Sequence, residues 1–232
     1  MHICIVPARG GSSRVKNKNL RKVGDKSLVE RAVLTAIRSK IFDKVIVSTD
    51  SPIIQDHINK SMGEAICPFL RESAYADDYS TSSAATLHCL EKSEEVFGCS
   101  FNLVSQLLPT NPLRTPENLV SVSEFYAENE FDSVVTCAPF VGINPWWSFE
   151  LATDNRKRDV FADLPSERSQ DLSSLYSPSG VMWISSAENI KERQSFLAGD
   201  VGYFPIEARY SFDVDTEEDL CLVRALAKGF AL

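Results

Sequence analysis

No run of about 18 apolar residues occurs in this chain, so no segment of it is expected to span a membrane. Histidine is scarce, and His2, His57 and His88 show no metal-ligand spacing. The six cysteines (Cys4, Cys67, Cys89, Cys99, Cys137, Cys221) are scattered without a C-x-x-C pair. Most stand in apolar runs and read as reduced, structural thiols. Positive charge is in deficit too. A formal net charge of -8 argues against a general nucleic-acid coat, because a phosphate polymer would be repelled. The N-terminal stretch has no basic segment leading into an apolar core, so no signal peptide is expected and a cytoplasmic location is.

What is present suits a soluble α/β globule. The 232 residues are 44% hydrophobic and 24% charged, enough for one large domain or a main domain with a small appendage. Apolar strand patterns alternate with helical ones. "HICIV" reads as a buried strand, and "SLVERAVLTAIRSK" as a helix with Leu28, Ala32, Val33, Ala36 and Ile37 on one face. Ser27 and Glu30 form a candidate capping box at its start. "DKVIVSTD" is a second strand, "PIIQDHINKSMG" a short helix closed by Gly63, and "EAICPFL" a third, weaker strand. A helix over "STSSAATLHCLEKSEEVFG", the strand "FNLVSQLL", a helix from Pro116 and the strand "DSVVTCAPF" follow. The rhythm predicts a mostly parallel sheet covered by helices on both faces, with ligands at the carboxyl ends of its strands. That rule gathers the loops Pro7–Lys18, Ser48–Asp50 and Leu108–Arg114.

After about Phe140 the pattern breaks for some forty residues, a stretch too long to be an idle loop in a compact domain. Order resumes with "VMWISS", a short helix near Ala187–Arg193, the strand "VGYFPI" and a last helix from Thr216 to about Lys228.

Three stretches carry candidate chemistry. In "IVPARGGSSRVKNKNL", Gly10 and Gly11 let backbone N–H groups approach a phosphate, and Arg9, Arg14, Lys16 and Lys18 balance its charge. The spacing matches neither a Walker A loop nor G-x-G-x-x-G. In "SFDVDTEEDL", Asp213 and Asp215 are two apart in an extended segment and project to one side, as a hard divalent cation requires. The bland alternative for Asp215, a helix-start acid, fits Asp213 less well because it stands ahead of the helix. In "LLPTNPLRTPENL", Thr110, Asn111 and Arg114 occupy a proline-stiffened loop, where Arg114 is either a surface arginine or a carboxylate fork. Arg71 emerges after a strand near the same edge. Adjacent Trp146 and Trp147 are assigned to packing before sugar stacking.

The segments "IVPARGGSSRVKNKNL", "FDKVIVSTD", "LRESAYADDYSTSS", "LLPTNPLR", "RSQDLSSLYSPSG" and "FDVDTEEDL" together resemble, in order and over nearly the whole chain, the acylneuraminate cytidylyltransferase family. The resemblance implies a Rossmann-like nucleotidyltransferase fold in a single domain over 1–232, with about 140–180 as an inserted dimerisation segment. It implies transfer of CMP from CTP to the anomeric hydroxyl of a 2-keto, sialic-type nonulosonic acid, with release of pyrophosphate. Arg9, Lys18 and Asp213 would then be catalytic. Gly10, Gly11, Ser12, Arg71, Asp78 and Ser82 would hold the nucleotide. Thr110, Asn111, Arg114 and Gln170 would face the sugar acid. Mg2+ on Asp213 and Asp215, and a homodimer, complete the implied picture. The family's L-Q-P-T-S-P-L-R motif departs here: Leu108 stands for the glutamine and Asn111 for the serine. Gln106, two residues earlier, is the candidate to compensate. An eight-carbon keto acid as acceptor, and a non-catalytic nucleotide-binding relative, are the competing readings. Retention of Arg9, Lys18, Asp213 and Asp215 disfavours the latter.

Overall fold

A computed structural model describes residues 1–76, 80–142, 144–161, 168 and 170–230. Strand β1 (His2–Pro7) is the expected buried run: Cys4 and Val6 face one layer of core, Ile3 and Ile5 the other. The hairpin β2 (Lys22–Val23) and β3 (Lys26–Ser27) leads into helix α1 (Leu28–Ser39). The capping box is formed, with Ser27 Oγ accepting the Glu30 N–H and the Glu30 carboxylate accepting the Ser27 N–H. Such a cap contributes about 1 kcal/mol. Leu28, Ala32, Val33 and Ala36 are buried, but Ile37, expected on the same face, lies exposed.

Strand β4 (Lys44–Ser48) and α2 (Pro52–Met62), closed by Gly63, follow as expected. The strand expected over 64–70 does not form. Glu64–Ile66 makes a 3-10 turn, after which the chain runs beside β4, with the Cys67 thiol on the Val47 carbonyl and the Arg71 N–H on Thr49 O at 2.7 Å. Pro68 has no N–H with which to continue a ladder. Helix α3 (Ser82–Phe97) is capped by Thr81 and stopped by left-handed Gly98. Strand β5 (Leu103–Gln106), α4 (Pro116–Ala127) and β6 (Ser133–Pro139) complete the regular part.

Within 140–180 the chain forms an exposed two-stranded antiparallel hairpin, β7 (Phe149–Leu151) with β8 (Lys157–Asp159). Strand β9 (Tyr176–Ser186) begins inside the stretch that lacks sequence periodicity. Helix α5 (Ala187–Arg193), β10 (Val201–Pro205), α6 (Ala208–Ser211) and α7 (Glu217–Gly229) end the fold.

Among the described residues the main sheet has the order β10-β6-β9-β5-β1-β4. Strand β9 runs antiparallel to both neighbours and the remaining pairings are parallel. Helices α1, α2 and α4 cover one face through Val29, Val33, Ile54, Ile58, Leu119 and Val122. Helices α3 and α5 cover the other through Cys89, Leu90, Ala187 and Ile190. A third cluster seats α7 on the β2–β3 hairpin, with Val214 anchored between Leu113 and Leu220. All six cysteines are free, and burial pushes the Cys67 and Cys89 thiols up to about 12, where they stay protonated and inert. No helix of the described residues is long and apolar enough to cross a membrane.

Candidate active site

The carboxyl ends of β1, β4 and β5 deliver three loops to one edge of the sheet, which is where an open parallel sheet binds its ligands. They meet the start of α3 and the segment before α7 around a cavity of about 340 Å3. Arg9, Lys18, Arg71, Ser82, Thr110, Asp213 and Asp215 are among the residues that line it. A second cavity, of about 490 Å3, adjoins it and is walled by Asn111, Phe140, Pro178, Trp183 and Phe212 among others. Leu108 and Asp213 line both cavities. The two therefore meet at a wall made of one apolar side chain and one carboxylate.

The cations of the first cavity are held by carboxylates. Lys18 Nζ donates to Asp215 Oδ1 at 3.0 Å, and Arg14 pairs with Asp215 Oδ2 at 2.9 Å. Asp50 Oδ1 accepts the Gly10 N–H at 2.9 Å and lies 3.5 Å from Arg71 Nη2. Burial pulls the Arg71 guanidinium down from its ordinary value, Asp50 opposes this, and nearby Arg9 adds to it. Arg71 Nε is buried and has no hydrogen-bond partner, so the site holds a spare N–H beside converging positive charge. That combination matches a polyanion. Gly10 packs against Ser51, whose Cβ would lie 2.8 Å from any Cβ added there, so the loop can be this close to β4 only as glycine.

The two aspartates behave differently. Val214 is fully buried between them, and this turns both carboxylates toward the cavity, as their spacing predicts. Burial raises the Asp213 carboxyl, Thr110 opposes by donating a hydrogen bond, and the charge of Asp215 raises it further. For Asp215 burial acts upward as well, but Lys18 and then Arg14 outweigh it and the net shift is down. Two carboxylates on one side of an extended segment, next to a phosphate-type cradle, fit Mg2+, which takes few protein ligands and completes its shell with waters and phosphate oxygens. Among the described residues no group of three or more His, Cys, Asp or Glu is arranged for a metal, so an ion here would rely on such outside ligands.

The remaining expected site residues are placed less directly. Gly10, Gly11 and Ser12 form the loop flanking the first cavity without lining it. Gln106 is buried under the site: its Oε1 accepts from Thr86 at 2.8 Å and its Nε2 donates to Ser82 at 3.1 Å. It therefore steadies the start of α3, and the compensation for Leu108 expected of it is not formed. Arg114 is neither on the surface nor a carboxylate fork. Its guanidinium donates to the carbonyls of Asn111, Leu108 and Gly180, clamping the loop from beneath. Burial pulls it down to about 9, against the opposing charge of Asp213, so it remains a cation at neutral pH. Gln170 is exposed and lines neither cavity. Asp78 lies outside the described residues. Trp146 donates Nε1–H to Ser173 O at 3.0 Å and packs on Phe161, holding the excursion together. The sequence assigns no role of its own to Asp50, in a loop expected at this edge, or to Asn19, at the end of the glycine-rich segment. Asn19 Nδ2 donates to the Arg9 carbonyl at 2.9 Å, and Asp50 ends the "VSTD" segment at a strand's carboxyl end, the signal that marks it.

A mostly parallel sheet carrying a glycine-rich cationic loop and a carboxylate pair at its carboxyl edge defines an α/β nucleotide-handling protein. The chain belongs to the cytidylyltransferase family, whose model matches residues 3–228. It is 29% identical over 226 residues to post-translational flagellin modification protein B of Campylobacter coli, covering 97% of this chain and 94% of that one. It is 28% identical over 227 residues to the CMP-N,N'-diacetyllegionaminic acid synthase of Legionella pneumophila, covering 97% and 95%. Its fold matches the solved structure of a CMP:2-keto-3-deoxy-manno-octonic acid synthetase complexed with CTP, with a TM-score of 0.72, 14% identity and 98% of each chain covered.

Proposed function

We propose that the protein transfers CMP from CTP to the anomeric hydroxyl of a nonulosonic acid, and that the observation carrying this reading is the wall shared by the two cavities. A transfer between two substrates requires their reacting atoms within about 3–3.5 Å of each other. Two adjoining cavities with Asp213 at their junction provide for that. CTP lies in the cavity of Arg9, Lys18 and Arg71, its phosphates balanced by those cations, and the sugar acid lies in the neighbouring one. The hydroxyl oxygen forms a bond to the α-phosphorus, the bond from that phosphorus to the bridging oxygen breaks, and pyrophosphate leaves with the electron pair. The hydroxyl proton passes to Asp213. Mg2+ held by Asp213 and Asp215 would neutralise phosphate charge as it develops. The work of the chain is positioning and electrostatics, the usual division in phosphoryl chemistry.

A nonulosonic acceptor is supported by the kind of acid named for the Legionella relative, which this chain matches over nearly its full length. The eight-carbon alternative rests on a fold likeness alone. The working form is a cytoplasmic homodimer joined through the 140–180 excursion. In its favour, Val141, Phe149, Leu151 and Val160 leave more than half of their surface exposed there. The test is pyrophosphate release from CTP and Mg2+ on addition of sugar acid, with Asp213→Asn beside it. Acid-dependent release that the variant loses supports the reading; release with no need of an acid, or an unaffected variant, contradicts it.

A further inference from the structure

Gln106 stands at the carboxyl end of β5, with its backbone paired to Ile5 of β1 on one side and Trp183 of β9 on the other. It is 1% exposed, and a primary amide sealed in this way must find partners for both of its ends. Thr86, itself fully buried, donates its hydroxyl to Gln106 Oε1 at 2.8 Å. Gln106 Nε2 donates in turn to Ser82 Oγ at 3.1 Å. Ser82 and Thr86 are four apart in α3 and share one face of it. The hydrogen bonds therefore run in one direction, from Thr86 through the amide to Ser82. Packing alone does not call for an amide at this place: Val104, two residues earlier on the same face of β5, is apolar and fully buried.

The relay ends in the first cavity. Ser82 lines it, whereas Gln106 and Thr86 lie behind the wall. With an amide N–H directed at its oxygen, Ser82 keeps its own hydroxyl proton to donate, and among the described residues no acceptor takes that proton. The lining residues from Tyr75 to Ala85 carry no charge, unlike Arg9, Lys18 and Arg71. A base or ribose suits that neutral stretch as the phosphates suit the cations.

We infer that Gln106 is a positioning residue for the nucleotide, fixing the Ser82 hydroxyl as a donor to an acceptor atom on the nucleoside part of CTP. The inference rests on the placement of CTP in this cavity. A hydroxyl free to turn has three staggered positions, so holding it in one is worth about threefold in affinity. Removing the hydroxyl altogether loses a hydrogen bond, about 3- to 10-fold.

The test is a double-mutant cycle on CTP affinity, read by calorimetry with Mg2+ over the parent, Gln106→Leu, Ser82→Ala and the double variant, with thermal melts alongside. In Gln106→Leu the Thr86 hydroxyl can turn back to the carbonyl one turn earlier in α3, so no buried donor is stranded. This variant should weaken CTP about threefold in the parent background and have no effect once Ser82 is Ala. In turnover it should raise KM for CTP and hold kcat within about twofold, because a nucleoside contact is made equally before and during the transfer. Gln106→Met, closer in length, carries the same expectation if leucine lowers the melting temperature. Gln106→Glu, measured at about pH 8.5, presents only acceptors once ionised, turns the Ser82 hydroxyl inward and should cost at least as much as Ser82→Ala. A smaller loss than with leucine would overturn the donor direction. An equal loss in both Ser82 backgrounds would make Gln106 a support of α3 only and overturn the inference, as would no loss in either. Failure of the cycle in a protein that still binds and turns over CTP leaves the transferase reading intact. A parent protein that binds no CTP overturns both.

Discussion

Lys18 Nζ lies 3.0 Å from Asp215 Oδ1, so the cation proposed to bind phosphate and the carboxylate proposed to bind Mg2+ hold each other. The pair is partly exposed on the Asp215 side, and Arg14 completes it from solvent. Such an arrangement is easily exchanged: the carboxylate can turn to a metal ion as the lysine turns to phosphate.

Replacing Asp215 with Ala should therefore lower Mg2+-dependent turnover by on the order of 100-fold or more. The fold should hardly notice, because exposed ion pairs contribute only about 0–1 kcal/mol. Steady-state kinetics beside a thermal melt checks both halves. Near-normal turnover would remove Asp215 from the metal site.

Asp50 should act by positioning. Its Oδ1 holds the Gly10 N–H and faces the buried Arg71 guanidinium. Asp50→Ala should destabilise the protein by about 1–3 kcal/mol, because the buried Arg71 guanidinium loses its counter-charge and the part-buried Gly10 N–H its acceptor. Asp50→Asn, which keeps an oxygen for Gly10 but no charge for Arg71, should retain much of the stability and raise KM for CTP more than it lowers kcat. Chemical denaturation and a kcat-against-KM comparison read the two effects separately.

Leu108→Gln restores the residue usual at this place in the family. The variant should change which sugar acids are used and leave CTP affinity within about twofold, because the proposed reading puts the CTP phosphates against Arg9, Lys18 and Arg71. Competition between two acids in one reaction, together with CTP titration, is decisive. A change confined to CTP binding would put the loop in the wrong cavity.

The pH dependence of stability should carry a signature of His2. Burial lowers its ring to about 4 despite the opposing charge of Asp43, and Nε2 sits 2.8 Å from Ser105 Oγ at the amino end of the sheet. The folded state therefore binds fewer protons than the unfolded one between about pH 6.5 and 4. Stability is fully present above that window and falls as pH drops through it, by about 2 kcal/mol between pH 7 and 5. Urea unfolding at the two pH values, compared with His2→Gln, isolates this contribution. An equal loss in the variant would assign it to other groups.

Much of this architecture was legible because local rules and the global fold agree. Ser27 with Glu30, Pro116 at the start of α4 and Gly98 at the end of α3 each mark a boundary that the structure keeps. That Asp213 and Asp215 face one cavity was legible from their spacing. What sequence could not supply were partners distant along the chain. Gln106 looked free for a ligand until Thr86 and Ser82 were seen to occupy it. Arg114 read as either a surface arginine or a carboxylate fork, but the carbonyl of Gly180, far along the chain, helps to claim it. The direction of β9 was hidden as well, since a buried run reads the same parallel or antiparallel. The segment 64–70 has strand composition, and only Pro68 at the sheet edge argues otherwise.

The most direct test of the account is a 31P NMR time course of the protein with CTP, Mg2+ and a nonulosonic acid. The account predicts loss of the CTP signals with matching growth of one phosphodiester and one pyrophosphate resonance. Unchanged CTP across a panel of such acids, or pyrophosphate appearing with free CMP and no phosphodiester, would contradict it.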